Sequence, residues 1–341
     1  MIHRKLPTSL QDLPSEHARL CLSIKRFLEE NLSQNIQGTV IVGCSGGVDS
    51  MALALILHCL GIDVVFAHMD HQLRAESKDD ANHVKSFAAA LDRRCIISRV
   101  DISGLAIKYK KGIEETARQE RYCFLEQVRK EYGAQWIATG HHLNDLSEDI
   151  LLRLLRGTGW PGLAGMKAVD KKRYLLRPLL TTRRTLLVSF LSSQNISWVE
   201  DNSNKDITFK RNRIRHTILP LFEEENPKFS NVAHMLWSLA KEDEEFWDKM
   251  ITDVFSKIEG SPEYFWIPRS ELITLPKSLR LRVYIEAIRR LNIGQGRAST
   301  LFLLDNTLMK GERKKFFQFP GNVLVKLEQD KVIFTATIKN T

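Results

Sequence analysis

Between residues 39 and 156 the chain alternates short β-branched runs with helix-length segments, and this alternation restricts the fold more than any other feature. The runs are TVIVGC (39–44), DVVFAHM (63–69), CIISRV (95–100) and QWIATG (135–140). Segments near 48–60, 76–92, 114–132 and 143–156 have the length and composition of helices. Strands separated by helices of this length need right-handed crossovers, which gives an α/β fold: a doubly wound parallel sheet covered on both faces. Ligands bind such sheets beyond the carboxyl ends of the strands. Polar clusters lie there: SGGVDS after the first run, DHQLR after the second and HHLNDLSED after the fourth.

The first cluster carries the clearest chemistry. CSGGVDSM (44–51) joins a buried strand to the apolar helix MALALILHCL. Gly46 and Gly47 let backbone approach a phosphate closely, and Ser45 and Ser50 offer hydroxyl donors. Val48, Asp49 and Ser50 open a helix whose first N–H groups are unpaired and whose dipole favours anions. Residues Ser45, Gly46, Gly47, Val48, Asp49 and Ser50 are therefore the candidate phosphate-binding set. An acid beside an anion makes sense when a Mg²⁺ ion lies between them, so Asp49 is the candidate metal ligand. The loop lacks a G-K-[ST] ending and with it the lysine of a Walker-type loop. The plainer alternative is a glycine-rich turn with a serine cap.

With 341 residues the chain has room for two or three domains, and 43% hydrophobic with 27% charged residues is an ordinary globular balance. A formal net charge of +9 points, with little weight by itself, to a polyanionic partner. The five cysteines (Cys21, Cys44, Cys59, Cys95, Cys123) are scattered and form no C-x-x-C pair. This argues against a disulfide framework, a zinc ribbon or a redox couple, and fits a reducing compartment. The N-terminal residues lack a signal-type apolar core, and the most apolar stretch, 51–67, is broken by His58, Gly61 and Asp63. The expectation is a cytoplasmic protein with no membrane partner.

Helical spacing over 17–32 precedes the alternating region. Residues 157–184 read as loop with a short strand at 174–177, followed by a helix near 183–194. At EEENPK (223–228) the chain changes character, and 230–258 reads as a long amphipathic helix or helix pair. Helix-like KSLRLRVYIEAIRRL and ASTLFLLDNTLMK then precede strand-like KKFFQFP, NVLVKL and KVIFTATI. The expected division is a nucleotide-binding domain over 1–222, a helical linker over 223–260 and a small α+β domain over 261–341.

S-G-G-x-D-S after the first strand resembles the loop of the PP-loop ATP pyrophosphatases. HMDHQLR, GIEETARQERYCFL, HHLNDLSED, LLRLLRGTGWPGLAGM, RPLL, WVEDNSN and RNRIRHTILPLF, in this order, are similar to the lysidine synthetase family within that class. The resemblance covers most of 39–222 and continues more weakly into the last third; a second C-terminal domain of longer members has no counterpart in this chain. It implies a Rossmann-like catalytic domain, with ATP and Mg²⁺ as cofactors. ATP would adenylate O2 of the wobble cytidine in a tRNA(Ile) precursor with a CAU anticodon, and L-lysine would then attack C2 and expel AMP. The C-terminal domain would contact tRNA. Oligomeric state is left open, a homodimer included.

Asp145 and Glu148, three residues apart at a helix start, share a face and can hold the lysine ammonium, take its proton or bind Mg²⁺. The chain departs from the common family pattern at Asn144, where many members have Asp, and at Asp149, which replaces a common threonine. Arg121 and Arg215 match the family arginines that face tRNA or the activated cytidine; Arg118 and Arg211 match less well. Asp49, Asp145, Glu148, Arg121 and Arg215 form the candidate catalytic set. His141 and His142 read as hydrogen-bonding loop residues. Two other readings compete: a tRNA 2-thiolation enzyme on the same fold, disfavoured by the missing C-x-x-C pairs, and a non-catalytic ATP- and tRNA-binding module, disfavoured by the three acids.

Overall fold

The computed structural model describes residues 6–32, 35–73, 77–200, 210–256, 258, 260–261, 264–291 and 297–336. They divide into two compact units, Met1–Trp237 and Ser238–Thr341. Arg74 and residues 201–204, which belong to two of the matching stretches, lie outside the described residues.

The first unit opens with helix α1 (Ser15–Asn31). Strands β1 (Val40–Gly43), β2 (Val64–Asp70), β3 (Cys95–Arg99) and β4 (Trp136–Thr139) then alternate with helices α2 (Val48–Cys59), α3 (Ser77–Ala90), α4 (Ile102–Tyr109) and α5 (Ile113–Glu131). Helix α6 (Leu143–Leu155), short strands β5 (Val169–Asp170) and β6 (Leu175–Leu176), and α7 (Arg184–Ser193) follow. Residues 210–225 are helical throughout: α8 (Lys210–Arg213), a π turn over Ile214–Ile218, and α9 (Leu219–Glu225).

Strand order is β3-β2-β1-β4-β6-β5, parallel except for the β5–β6 pair. The chain moves outward from β1 through β2 and β3, then returns to place β4 on the other side of β1. The crevice of the sheet therefore opens between β1 and β4, where the direction of progression reverses. One face of the sheet buries Val40, Val42 and Phe66 against α2, Phe87 of α3 and Phe190 of α7. The other buries Ile41, Val65 and Ile137 against Leu125 and Val128 of α5. The four expected strands and the helices between them are present, and α4 adds a helix where none was expected. It is short, carries Gly104 near its start and is capped by Asp101, whose carboxylate accepts from the Gly104 N–H at 2.9 Å.

Every residue of α2 except Asp49 is buried, which explains a sequence apolar on all sides. Its cap is Gly47, and no side chain caps its first turn. Gly140, just after β4, is what lets the second loop reach that turn. A Cβ there would lie 2.9 Å from the Asp49 carbonyl carbon and 3.0 Å from the Ser50 nitrogen.

In the second unit, α10 (Phe229–Phe255), within which the division falls, is followed by β7 (Gly260–Ser261), β8 (Tyr264–Pro268), α11 (Arg269–Thr274), α12 (Lys277–Arg290), α13 (Ala298–Met309), β9 (Lys315–Phe319), β10 (Val323–Leu327) and β11 (Lys331–Ala336). The last five strands form an antiparallel sheet of order β7-β8-β11-β10-β9. Alternate residues such as Phe265, Phe317, Val325 and Phe334 are buried in one core with Val283 and Tyr284 of α12 and Leu304 of α13. Strands β7 and β8 were not expected; YFWIP is a short aromatic run ending in proline.

Gly140→Ala should destabilise the first unit by about 1–3 kcal/mol, because the new methyl meets backbone that cannot turn away. Urea unfolding of variant and parent checks this, and coincident midpoints would contradict the close approach.

Candidate active site

Strand β1 and helix α2 build the loop between them with few side chains. Gly46 takes φ +86°, a conformation that favours glycine, and a Cβ there would press on Val84 and Val199 at 3.3 Å. The Ser50 hydroxyl donates to the Gly47 carbonyl at 3.0 Å and accepts from the Ser45 N–H at 3.1 Å. His68 of β2 supports the loop from below, with Nδ1 2.9 Å from the Cys44 carbonyl. The loop is thus tied back upon itself, while the uncapped first turn of α2 leaves N–H groups for an anion.

Helix α6 begins at the end of β4 and supplies the second group. The Asp145 carboxylate accepts from the His142 N–H at 3.0 Å, closing the first turn. His142 Nε2 lies 3.3 Å from Asp145 and 3.5 Å from Asp49, so one imidazole spans the two loops. The segment after β6 is tied to α6 by the Leu143 N–H, which donates to the Thr182 carbonyl at 2.9 Å. It brings Arg184 Nε to 3.5 Å from Asp49 Oδ1.

The helical turns at 210–218 deliver the third group. Arg211 donates to Glu148 at 2.9 Å and to Asp145 at 2.8 Å. Arg215 donates to Glu148 at 2.5 Å and to Asp145 at 3.1 Å. Glu148 is 1% exposed, so these bonds offset a buried charge that would otherwise be very costly. Arg121 of α5 stands beside the Tyr122 ring, its guanidinium carbon 5.6 Å from the centroid, and its charge acts on His141.

The field separates two adjacent histidines. Burial pushes His141 down to about 3, with Arg177, Arg121 and Arg211 adding to the effect. Burial also works against a charged His142, but Asp145 and Asp49 outweigh it and hold its pKa above the ordinary value. Asp145 is depressed to about 2: burial opposes its charge, and His142 and Arg211 overcome that opposition.

Of the five candidate catalytic residues, Asp49, Asp145 and Glu148 stand on the helix starts that follow β1 and β4, Arg215 contacts both Asp145 and Glu148, and Arg121 acts on this group through its charge. Sequence reasoning missed Arg184, Gly140 and the bridging place of His142, and it ranked Arg211 below Arg215 although the two hold the same carboxylates. A histidine capping the helix that carries an acid three residues on was the available signal for His142.

Residues 19–222 match the family model of the PP-loop domain. The tRNA(Ile)-lysidine synthase of Nitratidesulfovibrio vulgaris is 38% identical over 316 residues, covering 86% of this chain and 91% of that protein. The tRNA(Ile)-lysidine synthase of Geobacillus kaustophilus is 30% identical, covering 92% of this chain and 70% of that protein. Among solved structures, the U34-tRNA thiolase NcsA from Methanococcus maripaludis shares the fold with a TM-score of 0.53 at 16% identity, covering 64% of this chain and 78% of that chain. Sheet, loop and family match define a PP-loop enzyme. The chain belongs to the tRNA(Ile)-lysidine synthase family.

Linkage sets the signs of the pH dependence. His141 stays neutral in the folded chain where the unfolded chain binds a proton, so it lowers stability as pH falls from about 6.5 toward about 3. Asp145 contributes stability above the ordinary carboxylate range that is lost as pH falls toward about 2. His142, being raised, contributes stability that is complete below 6.5 and is lost as pH rises through its folded value. In His141→Asn the rise of stability between about pH 4 and about pH 6 should be flatter than in the parent, by about 1 kcal/mol per pH unit. Urea titrations across that range test it, and parallel profiles would contradict a His141 held neutral in the fold.

Proposed function

We propose that this enzyme joins L-lysine to C2 of the wobble cytidine of tRNA(Ile) with a CAU anticodon, through an adenylated cytidine. The observation that carries the reading is the meeting of an uncapped, buried helix N-terminus with an acid pair held by two arginines, on a chain whose relatives are named tRNA(Ile)-lysidine synthases. In the first step O2 of the cytidine attacks the α-phosphorus of ATP, and the bond to the β-phosphate breaks. Ser45, Ser50 and the N–H groups from Gly46 to Ser50 hold the departing pyrophosphate, and the arginine cluster offsets charge developing on the α-phosphate. In the second step the lysine ε-amine attacks C2, and the C2–O2 bond breaks with AMP as the leaving group. Adenylation comes first because a carbonyl oxygen leaves poorly until it carries phosphate.

Asp145 and Glu148 orient the amine in this reading. Both already hold guanidinium groups, so an ammonium enters as a cation replacing a cation. A carboxylate held at about 2 is a poor proton acceptor, which makes Asp145 a positioning anion rather than the base. Asp49 fits a Mg²⁺ ion: Oδ1 is buried and accepts no hydrogen bond among the described residues, although Arg184 Nε stands 3.5 Å from it as an ion-pair partner. Among those residues no group of three or more His, Cys, Asp or Glu gathers for a metal, so phosphate oxygens would complete the shell. Bound there, the ion would neutralise charge on the triphosphate.

The division into a catalytic domain over 1–222, a linker over 223–260 and a tRNA-contacting domain over 261–341 remains part of this proposal. The outer sheet face of the second unit supports the last assignment. Trp266 and Phe316 are exposed there, with Lys331 and Lys326 ammonium groups 5.6 and 5.7 Å from their rings. Aromatic faces beside cations suit unstacked bases and phosphates. No described helix is long and apolar enough to cross a membrane.

With ATP, Mg²⁺ and lysine the protein should convert the wobble cytidine of tRNA(Ile) to lysidine, read by nucleoside mass spectrometry. Unmodified cytidine, under conditions where a verified synthase acts, would sink the proposal. Asp49→Ala should lower pyrophosphate release by about a hundredfold or more while tRNA binding survives. Parental turnover in that variant would remove Asp49 from the chemistry.

A further inference from the structure

Arg177 follows β6 and is 7% exposed. Its Nη1 donates to the Lys167 carbonyl at 2.6 Å, while Nε is buried and has no hydrogen-bond partner among the described residues. The Tyr122 hydroxyl of α5 is likewise buried without a hydrogen bond of full geometry, with Arg121 interacting from alongside. Arg118 and Arg121 flank its ring, with guanidinium carbons 5.1 and 5.6 Å from the centroid. Tyr122 lies within electrostatic reach of Arg121 and Arg177 alike, and both arginines act on His141.

The charge balance in this cluster is opposite to that at the acid pair. Arg153, Arg211 and Arg215 each hold a carboxylate. Among the described residues no carboxylate forms an ion pair with Arg118, Arg121 or Arg177; Asp149 and Asp170 act on Arg177 only from beyond contact. A buried guanidinium edge and a buried hydroxyl, both donors, thus lie within electrostatic reach of one another, with no carboxylate in contact with either among the described residues. Groups left this way are costly in a folded chain, which marks them as candidates for binding an incoming group.

We propose that Arg177 Nε and the Tyr122 hydroxyl, together with Arg121, bind an oxyanion of substrate at a site separate from the phosphate loop. A planar guanidinium edge suits a carboxylate or a phosphate oxygen equally. On the lysidine-forming reading, on which the choice of ligand rests, two substrates carry such a group: lysine through its α-carboxylate and tRNA through its phosphodiesters. ATP does not compete for it, because its phosphates have the first turn of α2.

Tyr122→Phe and Arg177→Gln in the full chain test this, with fold checked by thermal midpoint. Tyr122→Phe removes one oxygen, so it keeps the test open if loss of the buried arginine prevents folding. Lysine and lysinamide binding by calorimetry form one arm, and tRNA binding across a salt series forms the other. If the site takes the carboxylate, lysine affinity falls about tenfold or more in folded variants while the weaker binding of lysinamide is unchanged. If it takes a phosphate, lysine binding is unchanged and tRNA affinity falls about tenfold, with the salt slope of Arg177→Gln reduced by about one. Lysine and tRNA affinities both within about twofold of the parent in a folded variant would overturn the proposal. So would a loss confined to ATP. A parent protein that binds both substrates yet forms no lysidine would sink the reaction alone, and these binding arms would still judge the site.

Discussion

The first unit is organised around one packing constraint: α2 is buried on every side, and its first turn is pinned beneath the backbone of Gly140. A helix so placed cannot tilt without disturbing both layers of the sheet. Its uncapped N-terminus therefore has a fixed direction, toward the crevice between β1 and β4. The same contact fixes the loop after β4, and with it His142 and the start of α6. Asp49 and Asp145, 96 positions apart in the chain, share a histidine because two backbones touch.

Upon that frame the charges are distributed unevenly. The acid pair is saturated by Arg211 and Arg215, while Arg118, Arg121 and Arg177 have no carboxylate in contact among the described residues. A resting site arranged this way is short of negative charge on one side only. On the proposed reaction, RNA phosphates and the carboxylate of lysine are the anionic groups that would enter there, while ATP has the first turn of α2. The opposite shifts of His141 and His142 have different causes: burial lowers His141, with the arginines adding to it against Asp145, whereas Asp145 and Asp49 outweigh burial at His142. Electrostatic preorganisation of this kind needs no motion at the moment of reaction.

The alternation of β-branched runs and helices was enough to read the sheet, because burial on both faces leaves a local trace in the sequence. Helix α4 left none, since eight residues with a glycine inside have no clear periodicity and its Asp101 cap is visible only in the fold. No secondary structure was expected over 210–222, although the helical pitch there is what sets Arg211 and Arg215 on the same carboxylates. Asp49, Asp145 and Glu148 were legible as motif residues because helix starts present acids in a recognisable pattern. Gly140, Arg184 and Arg177 were not, because each acts through a neighbour that is far away in sequence: Asp49 for the first two, Tyr122 for the third. Local chemistry is written in the chain, whereas the pairing of distant charges depends on topology.

The central claim is that the site activates the cytidine oxygen itself, making O2 the atom that leaves with AMP. Transfer RNA carrying oxygen-18 at O2 of the wobble cytidine tests this most directly, by mass spectrometry of the AMP released during a single turnover with unlabelled ATP and lysine. The label should appear in AMP, with none retained in the lysidine product. Unlabelled AMP formed alongside lysidine would contradict adenylation at O2, and with it the role of the crevice between β1 and β4 as the place where that oxygen meets ATP.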